Sequence, residues 1–172
     1  MSAAPPEQLV QPGPGLLSNG PLIAALLGFS TAQFLKFIIT YVQTRKWEYT
    51  RLWGSGGMPS SHTAFVIALT TAVWIRDGGG SSTFAICVVI ASVTAYDAAG
   101  VRWHSGRTAS LLNALVGELP PEHPIQEHES AGRLRDQLGH TPEEVAGGAL
   151  VGILIGIFVE GLIFKVILKQ GI

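Results

Sequence analysis

The chain has 172 residues, a formal net charge of -1 and a charged fraction of 13%, about half that of an average soluble domain. Hydrophobic residues make up 47% and the mean hydropathy is +0.36. Gathered into long apolar runs, they point to a membrane protein, while the near-zero charge argues against nucleic-acid or strongly acidic partners. The single cysteine, Cys87, excludes an internal disulfide and lies in an apolar run, where a small packing role is expected.

Residues 1–20 read as a flexible tail, with Pro5, Pro6, Pro12 and Pro14 and no basic residue. Neither a secretory signal nor a transit peptide is expected there, since the first needs a basic start and the second needs arginines. Residues 21–172 read as one all-α membrane domain, a helical bundle of about four transmembrane helices. Leu22 to Val42 is about 20 residues long, which at 1.5 Å per residue crosses a hydrocarbon core of roughly 30 Å. Ser60 to Ile75 and Ser82 to Ala99 are near or below the usual minimum, so they would cross with little tilt or with local thinning. Val145 to Leu168 is amply long. Its Gly148, Gly152 and Gly156 form a stripe that lets a neighbouring helix come close.

Gln43 to Gly57 and Arg76 to Ser81, with its Gly78-Gly79-Gly80 turn, are short connections. A long polar insertion, residues 102–139, separates the third and fourth segments. Within it Arg107 to Leu119 reads as a short amphipathic helix, which Pro120-Pro121 ends. Arg45, Lys46, Arg51, Arg102, Arg107, Arg133 and Arg135 fall in the first and third connections; Arg76, Lys165 and Lys169 fall on the other side. By the positive-inside rule the two larger connections face the cytoplasm, or the stroma of a plastid, with both termini opposite. The expected location is a bacterial inner membrane or a plastid or thylakoid membrane, with membrane lipids as the immediate partners.

This topology brings Lys36, His62, Asp97, Arg102 and His140 to the same end of the bundle. Gly56-Gly57-Met58-Pro59-Ser60-Ser61-His62 turns from a loop into an apolar helix, with Ser60 as the expected N-cap and His62 in the first turn. Leu138-Gly139-His140-Thr141-Pro142-Glu143-Glu144 repeats the arrangement. There Thr141 and Glu144 fit a capping box with proline at the first helical position, which leaves His140 without a structural explanation. Helix starts carry unpaired N–H groups and the positive end of the macrodipole, so two such mouths with two histidines suit a phosphate-like anion.

Lys36, inside Phe34-Leu35-Lys36-Phe37-Ile38, has two readings. It snorkels to the interface, or it is a phosphate ligand that justifies a charge costing roughly 2–3 kcal/mol at the centre of a span. Asp97 either pairs with Arg102 or Lys36, or orients a histidine. No tight ligand spacing supports a metal, and no cofactor is expected. His104, His123 and His128 are expected in solvated loop.

Gly-Gly-Met-Pro-Ser-Ser-His at 56–62, Tyr-Asp-Ala-Ala-Gly-Val-Arg at 96–102 and Leu-Gly-His-Thr-Pro-Glu-Glu-Val at 138–145 resemble the acid phosphatase/vanadium-dependent haloperoxidase-related membrane proteins. That family is a divergent branch of the type 2 phosphatidic acid phosphatase superfamily. The resemblance implies a metal-free phosphatase in which His140 attacks phosphorus, His62 protonates the leaving oxygen and Glu144 orients His140. Lys36, Ser60 and Ser61 would hold the phosphate, with Arg102 in place of a superfamily arginine that this chain lacks; Asp97, from the reading of the residues above, joins them as a substrate-binding candidate. The implied substrate is a lipid or isoprenoid phosphomonoester.

The sequence departs from the superfamily pattern in several ways. No Arg-Pro follows Lys36 at the usual spacing, Ser61 stands where glycine is usual, no Ser-Arg pair precedes His140 by six residues, and Glu144 replaces an aspartate. The spans are also fewer than the usual six. These departures keep a second reading open, a non-catalytic membrane scaffold or assembly factor with membrane-protein partners that docks through the insertion. A transporter ranks last, because only Lys36, Asp97 and Glu160 place charge within the spans.

Overall fold

The structure is a computed structural model and describes residues 15–52, 56–127, 132, 134, 136 and 139–164. Residues 1–14 of the tail, together with His128, Arg133, Arg135, Lys165 and Lys169, lie outside the described residues. Among the described residues all regular structure is helical.

Helix α1 spans Gly20–Thr44. Its start is fixed by Asn19, whose side chain accepts the Leu22 N–H at 3.2 Å, with Pro21 in the first turn, where a missing donor costs nothing. It therefore begins just inside the boundary expected for the tail. Helix α2 spans Ser61–Asp77, capped by Ser60 and stopped by Gly78, and α3 spans Ser82–Tyr96, capped by Ser81. Helix α5 spans Pro142–Gly156 and continues as π-helical turns over Ile157–Phe164.

The third segment departs from its expected end. No break follows Ala99: a π-helical stretch, Asp97–Val101, joins α3 directly to α4, Arg102–Gly117. The expected amphipathic helix therefore begins at Arg102 rather than Arg107, and His104 lies on a helix rather than in a loop. The combined helix of 36 residues, at 1.5 Å per residue, is roughly 54 Å long and overshoots a bilayer core of about 30 Å. The chain after α4 doubles back along it. Asn113 exchanges two 2.9 Å hydrogen bonds with the backbone of Leu134, and Gln126 Nε2 donates to the Val116 carbonyl at 3.1 Å.

Among the described residues three helices are long and apolar enough to cross a membrane: Gly20–Thr44, Ser82–Gly117 and Pro142–Leu162. Helix α2, at 17 residues, falls short of that length, yet it is the central element, packed against α1, α3 and α5. The packing inverts that of a water-soluble protein. The buried positions are small, with Ala24, Ala25, Ala32, Ala64, Ala68 and Ala72 at 0% exposure, while Ile86, Val89, Val93, Leu150 and Leu154 point outward. With lipid outside there is no gain in burying large apolar groups, and helices associate where small residues let their backbones meet.

The glycine stripe does this. A Cβ on Gly148 would overlap the Ser60 carbonyl, one on Gly152 would lie 2.8 Å from the Ala64 carbonyl, and one on Gly156 would lie 2.7 Å from Thr71 Cβ. From α1, a Cβ on Gly28 would lie 2.8 Å from Ala68 Cβ and 2.9 Å from the same Ala64 carbonyl. Helix α2 thus packs closely against two smooth helices, which also touch each other.

Candidate functional site

The loop before α2 needs its glycines: Gly56 and Gly57 have φ of 86° and 81°, which side-chain-bearing residues rarely adopt. Below it runs the stem of Lys36, close enough that a Cβ on Gly57 would touch its Cγ and Cδ at 3.6 Å. Lys36 is 1% exposed, so snorkelling into water does not describe it. Its ammonium donates to Gln33 Oε1 at 2.8 Å, and Gln33 Nε2 donates to the Leu52 carbonyl at 2.9 Å. Gln33 therefore ties the buried cation to the returning connection. The sequence reading missed Gln33, although its place one turn before Lys36 in an otherwise apolar run was the available signal.

Ser60 caps α2 as expected: its hydroxyl accepts from Thr63 N–H at 3.4 Å and from Thr63 Oγ1 at 3.0 Å. It is fully buried and Ser61 is 2% exposed. The Ser60 hydroxyl is thus engaged within α2. His62, one residue into the helix, is exposed, and its ring meets Phe29 edge-on at 6.3 Å. The two helix mouths are bolted together, since the Ser60 N–H donates to the Glu144 carbonyl at 2.9 Å.

At the second mouth the capping box is complete. Thr141 Oγ1 accepts from Glu144 N–H, Glu144 Oε2 accepts from Thr141 N–H at 3.1 Å, and Pro142 occupies the first turn. The same Oε2 lies 3.0 Å from His140 Nδ1. With the hydrogen on Nδ1 donated to Glu144, Nε2 keeps its lone pair. His140 is 4% exposed. Burial lowers its pKa below the ordinary 6.5; Glu144 opposes that shift, and the charges of Lys36 and Arg102 add to it.

The junction of α3 and α4 completes the cluster. The π turn lines up residues five apart, so Asp97 Oδ2 accepts from Arg102 Nε at 2.6 Å, while Arg102 N–H donates to the Asp97 carbonyl. Of the partners open to Asp97, Arg102 is the one it takes. The His140 N–H donates to the Ala98 carbonyl at 3.0 Å, fastening the histidine loop to this turn. A Cβ on Gly139 would overlap the Trp103 backbone, so this approach requires glycine. Arg102, His140 and Lys36 all lie near enough to His62 to act on it electrostatically. The structure thus brings Lys36, His62, Arg102 and His140 together, with Glu144 and Asp97 each holding one member. Neither histidine lines the adjacent cavity of about 410 Å³, which Thr40, Gln43, Trp103, Thr141 and Glu144 help to line. Among the described residues no three of His, Cys, Asp and Glu gather as metal ligands.

The model of the divergent PAP2 family matches residues 17–155. The chain belongs to the divergent PAP2 family. A relative, the uncharacterized membrane protein YuiD of Bacillus subtilis (strain 168), is 40% identical over 147 residues, which cover 81% of this chain and 93% of that protein. No solved structure matches significantly. The divergent PAP2 match spans both histidine mouths and the π junction between them, and the membrane-protein relative accords with three spanning helices and an integral, multi-pass chain.

Proposed function

We propose that this divergent PAP2 protein hydrolyses a lipid or isoprenoid phosphomonoester through a phosphohistidine intermediate. The reading rests on one observation: a buried imidazole whose Nδ1 is held by Glu144 at 3.0 Å, with His62, Lys36 and Arg102 within electrostatic reach. In the proposed reaction Nε2 of His140 attacks phosphorus and the bond to the lipid oxygen breaks. His62, as imidazolium, gives its proton to that oxygen. Neutral His62 then takes a proton from water, whose oxygen attacks phosphorus; the N–P bond breaks and phosphate leaves. Lys36, Arg102 and the first N–H groups of α2 stabilise charge on the equatorial oxygens. In this reading α2 crosses the bilayer with the other three helices, and the histidine end faces the cytoplasm or stroma.

Purified protein is incubated with a radiolabelled phosphatidate or polyprenyl monophosphate, quenched in alkali and analysed for acid-labile phosphate on the chain. Label is expected in the wild type, more of it in His62→Ala and none in His140→Ala. Label at equal levels in all three removes the mechanism. A scaffold is the second reading, favoured by α4 extending past the span with Leu111 and Leu115 exposed. It requires that deleting residues 107–135 abolish function while alanine at both histidines leaves it intact.

A further inference from the structure

At the end of the bundle away from the histidines, one buried polar group is not satisfied. Glu160 is 5% exposed, and its Oε2 is, among the described residues, the buried side-chain oxygen or nitrogen without a hydrogen-bond partner. It sits in the π-helical turns that follow α5, a distortion often found where a helix carries a function. From α2 it faces Arg76 and Asp77. Arg76 Nε is 3.9 Å from Glu160 Oε1 but 3.1 Å from Asp77 Oδ1, so the guanidinium is committed first to Asp77. From α1 it faces Gly20, where a Cβ would overlap Oε2, and no charged residue occurs between Gly20 and Lys36. Lys165 and Lys169 lie outside the described residues.

An ionised carboxylate here would lack water and lack a donor to Oε2; Arg76 favours the charge, but from 3.9 Å and with Asp77 as its nearer partner. A hydrogen on Oε2 relieves the missing water and the missing donor together. An ionisable group kept at such a place within a span is itself a mark of function. We propose that Glu160 is a proton-binding site, enclosed by Gly20 of α1, the end of α2 and the π turns, and separate from the histidine cluster. The bare α-carbon of Gly20 gives the carboxyl room to turn away from water. This does not depend on the phosphatase reading.

The test is modification by dicyclohexylcarbodiimide, an apolar reagent that reacts with neutral carboxyls, on full-length protein in lipid vesicles, read by peptide mass spectrometry. The acid passes its proton to a carbodiimide nitrogen, its oxygen bonds to the central carbon, and the adduct rearranges to a stable N-acylurea. Glu160 is expected to be labelled in preference to the exposed Glu122. Beyond the midpoint, labelling should fall about tenfold per pH unit. Added Na⁺ or Ca²⁺ should leave it unchanged. Labelling no greater than at Glu122, or independent of pH, overturns the proposal; protection by either cation replaces the proton with a metal ion. Glu160→Gln, which keeps the shape of the neutral acid, should fold with the same helix content and lose this label alone. Gly20→Ala should lower labelling by displacing the carboxyl, and unchanged labelling would overturn the enclosure by Gly20.

Discussion

The two helix mouths share residue types but differ in how their donors are spent. At α5, Thr141 and Glu144 satisfy each other's N–H groups and Pro142 brings none, which leaves the Glu143 N–H alone in the first turn for a ligand's oxygens. At α2, Ser60 covers only the Thr63 N–H, and the preceding N–H groups of the first turn have no intrahelical partner. The α5 mouth fixes an imidazole by binding its Nδ1; the α2 mouth offers donors to an anion and leaves His62 exposed. In the proposed reaction one motif class thus serves two tasks, aiming the nucleophile and receiving the phosphate. The contrast comes from a single glutamate whose Oε2 serves both the cap and the histidine.

Removing the aimed imidazole should have the largest effect. His140→Ala is expected to lower kcat for phosphate release by about 10³-fold or more, whereas His62→Ala should lose about 10²-fold while attack on phosphorus continues. Measuring both on one lipid substrate breaks the comparison if the order reverses, because the open mouth would then hold the nucleophile.

The next effect sharpens the role of Glu144. The imidazole of His140 must be neutral to attack, and burial holds its pKa below 6.5 although Glu144 pulls the other way. Activity should therefore persist as pH falls past 6.5, declining only when His140 takes up its proton. Glu144→Gln removes the opposing pull, so the acid limb of kcat/KM should move further toward acid. The plateau should fall about 10–100-fold, because the ring loses its orientation. A limb that moves toward alkaline pH instead would mean that Glu144 does not stabilise the imidazolium.

Smaller still is the cost of separating the mouths. Gly148→Ala puts a methyl against the backbone carbonyl of Ser60, which cannot swing aside as a side chain could, and should destabilise the bundle by about 1–3 kcal/mol. Gly100→Ala, with nothing within 4 Å of its Cβ, is the matched control and should be near neutral. Equilibrium unfolding in mixed detergent micelles measures both. Equal losses would mean that the stripe does not hold the mouths together.

Much of this was legible in the residues, because caps and small-residue stripes are local patterns. Ser60, Thr141 with Glu144, and the stripe at Gly148, Gly152 and Gly156 all do what their spacing implies. The π junction was not legible. Arg102 is polar and follows Gly100, so the chain reads as leaving the helix; instead the side-chain pair to Asp97 carries the helix onward, and α4 continues where a loop was expected. Nor does hydropathy reveal that the 17-residue α2 is central, since its place comes from alanines and glycines on its neighbours. Gln33 escaped notice because its meaning lies in a contact with Leu52, which no local spacing encodes.

The finest distinction lies between the two cap hydroxyls. Ser60→Ala and Thr141→Ala each remove one side-chain acceptor from a helix start, and each should cost about 1 kcal/mol of stability. Their effects on the nucleophile should differ. Thr141→Ala leaves the Thr141 N–H in place to hold Glu144 Oε2, so the acid limb should stay where it is in the wild type. Ser60→Ala leaves the Ser60 N–H bond to the Glu144 carbonyl intact, but it frees Thr63 at the mouth proposed to receive phosphate. Ser60→Ala should therefore change the inhibition constant for inorganic phosphate by a few-fold, about 0.5–1 kcal/mol, while Thr141→Ala leaves it unchanged. If Thr141→Ala moves phosphate affinity as much, the α5 mouth also binds the anion, and the division of labour between the two helix starts fails.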